Sequence, residues 1–123
     1  MKTSDFQIIL DKRLSKIESV LGNKAREYSF GDDRLHNFSV AARIKGETKA
    51  KALWGMAAKH LVSVVDLVEG RLKPTEAMVD EKIGDLINYL ILLEAVLKEK
   101  PAALPKEFNA YLKMAGINFP EMP

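Results

Sequence analysis

The chain has 123 residues, of which 47% are hydrophobic and 29% charged, with a formal net charge of +2 and no cysteine. That length suits one domain with a core of its own, and the balance excludes a disordered chain. Without cysteine there is no disulfide framework, no thiolate zinc site and no cysteine nucleophile, and scattered charges without a clustered basic stripe argue against a nucleic-acid surface.

The opening segment "MKTSDFQIILDKRL" does not read as a signal peptide, because its apolar patch is short and charges follow at once. Thr3 or Ser4 is the expected N-cap of a first helix, in which Phe6, Ile9, Leu10, Leu14, Ile17 and Leu21 recur at helical spacing until Gly22 and Asn23 stop it. "REYSFGDDRLHNF" follows as a loop around Gly31, and Asp32 or Asp33 is expected to cap a second helix from about Arg34 to Ile44, ended by Gly46. Glu47 and Thr48 open a long third helix to about Val68. After the tight connection "RLKP", Thr75 caps a fourth and longest helix reaching about Lys100, where Pro101 forbids continuation. The tail is expected to hold one short helix from Lys106 to Met114. The fold class is therefore all-α, a four- to five-helix bundle in a single domain over residues 1–123.

Side-chain phase sharpens this reading. On the fourth helix Val79, Ile83, Leu86, Leu90, Leu93 and Leu97 form a stripe with heptad-like spacing, suited to a core or a seam against another helix. Beyond Leu86 this helix is apolar nearly all round, which implies contacts on several sides. We therefore expect a homo-dimer or higher homo-oligomer with the helix 75–100 near its interface. No segment has the ~18 uninterrupted apolar residues of a membrane span, so the expected setting is cytoplasmic.

The polar residues stand opposite those stripes. Glu81, Asp85 and Asn88 stack at i, i+4 and i+7 on the fourth helix, and Lys59, Ser63 and Asp66 do so on the third, with His60 at the edge. If the two stripes face each other they enclose three carboxylates, Asp66, Glu81 and Asp85, beside one ammonium, an arrangement by which helical bundles hold hard cations. The plainer reading is also open: acids in the first turns of a helix favour its dipole while facing water, and Lys59 with Asp66 can be a solvated face. His60 reads more readily as a surface or capping histidine than as a ligand, and Trp54 as core. Asn88 lies among apolar neighbours and calls for a specific hydrogen-bonding partner. No Gly-rich phosphate loop, nucleophile elbow or zinc-type histidine spacing is present, so the chemistry left is that of carboxylates and metal.

The segments "EKIGDLINYLILL", "YSFGDDRLHNF" and "MAAKHLVSVVD" occur in an order that resembles the MazG-like, all-α nucleoside triphosphate pyrophosphatases. Within them the similarity is greatest to the small phage nucleotide-modification-associated domains, over roughly Lys24 to Lys98. The resemblance implies nucleotide binding, and Mg²⁺-dependent hydrolysis of a nucleoside triphosphate to monophosphate and pyrophosphate, with host cytoplasm as the setting for a phage protein. It would make Asp85, Glu81 and Asp66 candidate Mg²⁺ ligands. Lys59, Asn88, Ser63, His60, Tyr28 and Asp33 would be candidate nucleotide contacts, with the loop "YSFGDD" closing over the base. The family holds its metal with an E-x-x-E pair on one helix and an E-x-x-D pair on the next. Here Asp85 matches the final acid, but Lys82 stands at the preceding glutamate, and Lys59, His60 and Ser63 replace the first pair. Those replacements imply a cleft that meets phosphate directly through a lysine rather than through a metal. Three readings remain: a divergent pyrophosphohydrolase, a nucleotide-binding protein without turnover, and a helical interaction module.

Overall fold

A computed structural model describes residues 1–23, 31–100 and 106–116. Its described residues are helical, with no strand: α1 (Thr3–Ile17), continued by a π-helical turn (Glu18–Asn23), then α2 (His36–Lys45), α3 (Lys49–Val68), α4 (Glu76–Lys98) and α5 (Lys106–Met114). None of these helices is long and apolar enough to cross a membrane.

Local chemistry sets most of the boundaries. Thr48 Oγ1 accepts from the Lys51 amide and Thr75 Oγ1 from the Met78 amide, each at 3.2 Å, so both long helices start on a threonine cap. Gly46 ends α2 in the left-handed conformation at φ 65°, which glycine adopts without a Cβ penalty. Two starts differ from expectation. The residue preceding α1 is Lys2, with no side-chain cap, and α2 begins at His36 rather than Arg34. Asp33 instead closes a turn before α2, where its Oδ1 accepts from the Leu35 amide at 3.0 Å.

The centre of the fold is the antiparallel α3–α4 pair. The short connection through Gly70 reverses the chain, and Lys49 pairs with Glu99 at the far end. Leu53 is fully buried, and Leu35 and Phe38 join it against Met56, Tyr89, Leu92, Leu93 and Val96. Phe38 and Ala42 bring α2 onto one side of the pair. Trp54 is not core: it lies one residue beyond Leu53 and is 49% exposed.

Among the described residues helix α1 docks on α4. Arg13 lies across Gly84 of α4 and donates through Nη2 to the Asp80 carbonyl at 2.9 Å, while Lys16 Nζ reaches Asp80 Oδ2 at 3.0 Å. No residue of α1 is buried.

Candidate functional site

Where α2 leaves the α3–α4 pair, a cleft of about 460 Å³ opens. Phe38, Met56, Tyr89 and Leu92 give it an apolar floor, and Val20 and Leu21 of the π-helical turn form one wall. Arg34 and Asn37 stand at one rim and Asp85 and Asn88 at the other. A π-turn widens the helix locally and recurs at functional positions, which fits its place against the cleft.

Asn88 is the unusual member. Its Oδ1 is sealed from solvent and has no hydrogen-bond partner among the described residues. A buried acceptor left unmade costs on the order of 1–3 kcal/mol, so native chains seldom keep one without a use. Beside it, the His60 ring stacks on Tyr89 with centroids 4.8 Å apart and planes 27° apart. His60 Nδ1 also lies 3.5 Å from Asp85 Oδ2. Burial, with the Asp85 charge adding to it, pushes the Tyr89 phenol above its usual 10.0.

The remaining expected site residues are dispersed. Lys59 is exposed, and Ser63 Oγ is spent within α3, donating to the Lys59 carbonyl at 3.1 Å. Asp66 lies near the C-terminal end of α3, where Arg71 Nη1 approaches its Oδ1 at 3.2 Å. It is His60, rather than Lys59, Ser63 and Asp66, that α3 turns toward Asp85. Glu81 and Asp85, one turn apart, border a smaller cleft of about 230 Å³ between α1 and α4, with Arg13, Lys16 and Asn88 also on its walls. Among the described residues no three His, Asp or Glu side chains converge as a metal site. Asp33 is exposed, and Tyr28 lies outside the described residues.

Sequence phase alone did not single out Arg34, Met56 or Val20, and it gave Leu21 only as part of the apolar face of the first helix. Asn37, Phe38 and Tyr89 carried a signal, because they belong to the Asn-Phe pair of "LHNF" and to Asp-x-x-Asn-Tyr in "DLINY". The fold brings these two segments, about fifty residues apart, to the same cleft. No protein-family model matches the chain, and neither the curated proteins nor the solved structures contain a match to it.

Proposed function

We propose that the protein binds a nucleotide in the larger cleft, as the MazG-like resemblance implies, and that it acts as a homo-oligomer. The observation that carries this reading is the unpartnered Oδ1 of Asn88, on the lining of a cleft with an apolar and aromatic floor, which a turn of the amide would bring to a ligand. A base needs a flat apolar surface and an amide that meets its polar edge, and an asparagine supplies both donor and acceptor. The cleft volume falls within the ~300–1,000 Å³ of small-molecule sites. Arg34, with no ion pair to a described residue, supplies a planar cation for phosphate at the rim.

Binding without turnover is the form we favour. Asp85 faces His60, Asp66 faces Arg71, and a rim guanidinium meets phosphate without a metal. In the hydrolytic form Glu81 and Asp85, which share the smaller cleft, would hold Mg²⁺, and the metal would supply positive charge for phosphate chemistry.

Calorimetric titration of nucleoside mono- and triphosphates, once with Mg²⁺ and once with EDTA, tests both. Binding that persists in EDTA and is lost in Asn88→Leu and Arg34→Ala supports the favoured form. Pyrophosphate release that needs Mg²⁺, Glu81 and Asp85 would replace it with the hydrolytic one. No binding in either solution overturns the reading.

A further inference from the structure

The larger cleft is electrically lopsided. Arg34 stands at one rim with Asn37, and the Asp85 carboxylate stands at the other with the Asn88 amide. A phosphate is drawn to the guanidinium and repelled by the carboxylate, and the apolar floor between them weakens the screening of both effects. That polarity turns the phosphate end of a nucleotide toward Arg34 and its base edge toward Asp85 and Asn88.

Asp85 and Asn88 are three residues apart on α4, which places them side by side on one face of the helix. His60 Nδ1 lies 3.5 Å from Asp85 Oδ2, at the long limit of a hydrogen bond, and Asp85 Oδ1 has no partner among the described residues. The Oδ1 of Asn88 has none either. This wall of the cleft thus holds two neighbouring acceptors, one of them charged, and calls for a base edge with two neighbouring donors. Guanine has that edge, N1–H beside the N2 amine. Adenine and cytosine each set one amine beside a ring-nitrogen acceptor, and uracil sets one N–H between two carbonyls. Any of these would place a lone pair against a carboxylate or an amide oxygen, leaving an acceptor desolvated and unpaired.

We infer that the base is guanine and that Asp85 selects it, which rests on the nucleotide reading of the larger cleft and adds the base to it. Between them, the Asp85 carboxylate and the Asn88 amide, once turned, accept from N1–H and the N2 amine. Phe38 and Tyr89 supply apolar and aromatic surface for the two rings of the purine. A hydrogen bond to a charged acceptor contributes about 10- to 100-fold in affinity. Rejection adds to it, because a base that presents a carbonyl at this wall meets the carboxylate head-on.

The test uses GMP, AMP, CMP, UMP, IMP and XMP, titrated by calorimetry into the full chain in EDTA. GMP should bind about 10- to 100-fold more tightly than AMP, CMP or UMP, with IMP, which lacks the N2 amine, between them. Asp85→Asn, checked for retained helicity by circular dichroism, should lose GMP affinity by a similar factor and come to prefer XMP, whose C2 carbonyl suits an amide donor. A residue that acted only by orienting His60 or Tyr89 would weaken all six alike. Equal binding of the bases, or a preference for another base over GMP, overturns the inference and leaves the nucleotide reading intact. So does an Asp85→Asn protein that keeps the wild-type order, and the wild-type ranking decides alone if that variant fails to fold. Absence of binding by all six overturns both.

Discussion

The Arg13 guanidinium occupies the space that a side chain at residue 84 would fill. A Cβ on Gly84 would sit 2.5 Å from Arg13 Nη1, closer than any tolerated contact. A glycine inside a 23-residue helix is otherwise a loss of about 1 kcal/mol relative to alanine. Its place here is explained by the helix that docks on it. Through this contact α1 is held to α4, and the π-helical turn that follows α1 is set against the cleft.

Gly84→Ala should therefore separate local from global stability. The clash falls on the far end of a flexible side chain, so the guanidinium moves aside and gives up its bond to the Asp80 carbonyl. The helix meanwhile gains about 1 kcal/mol of intrinsic propensity. The expected outcome is a denaturation midpoint unchanged or slightly raised, with faster hydrogen exchange in α1 alone. Arg13→Ala should loosen α1 without the compensating gain. A uniform loss of protection through α3 and α4 in Gly84→Ala would show that the contact supports the core instead.

Asp80 gives the same joint a pH dependence. The hydrogen bond from Lys16, and then the charges of Lys16, Arg13 and Lys12, hold its carboxyl below the usual 3.8, against a desolvation that acts the other way. A depressed carboxylate contributes stability that is present above 3.8 and lost as pH falls through its lower folded value. Because the pair is exposed, the effect should be small and weakened by salt. We expect α1 protection in hydrogen exchange to fall below about pH 3.8 in the wild type, and that extra step to vanish in Asp80→Asn. Identical profiles for the two proteins would remove Asp80 from the account.

Asn88→Leu should raise stability and abolish nucleotide binding together. Leucine removes the unmade buried acceptor and suits an apolar helix, which should add about 1 kcal/mol in urea denaturation. The same change removes one of the two amides, Asn37 and Asn88, that line the cleft, so calorimetric binding should disappear. A destabilised Asn88→Leu protein would mean that the amide is already satisfied in solution, and the argument for a ligand at Oδ1 would lose its basis.

Helix placement was legible in the sequence because capping threonines, glycine stops and a 3.6-residue period are local signals, and α3, α4 and α5 lie within two residues of expectation. Which flank of a helix becomes core was not, because that depends on how neighbours cross. Leu53 and Trp54 are adjacent and both apolar, yet only the pairing with α4 and α2 decides that Leu53 is enclosed and Trp54 is bare. The polar stripes failed as a guide for the same reason. A rotation of about 100° brings His60, rather than Lys59, toward Asp85, and phase alone does not fix it. Asn88 was the exception, since an amide among Ile87, Tyr89 and Leu90 is conspicuous whichever way the helix turns. The π-turn after α1 left no mark in the composition, and the wall it forms from Val20 and Leu21 was invisible until the chain was folded.

The Tyr89 phenol offers a readout of the cleft's electrostatics that needs no ligand. Its upward displacement has two causes, burial first and the Asp85 carboxylate second. Neutralising the second should leave the first, so Asp85→Asn should bring the phenol only part of the way back toward 10.0. The stability sign follows. A phenol raised in the folded state favours folding below its ordinary value, and that contribution is lost as pH climbs through the raised one. Phenolate absorbance across an alkaline titration, taken as the difference from Tyr89→Phe, isolates this group from Tyr28 and Tyr111. A complete return to 10.0 in Asp85→Asn would invert the order of causes and mean that the cleft floor is wetter than its apolar lining implies. No change at all would mean that Asp85 turns away from Tyr89 in solution, and with it from His60.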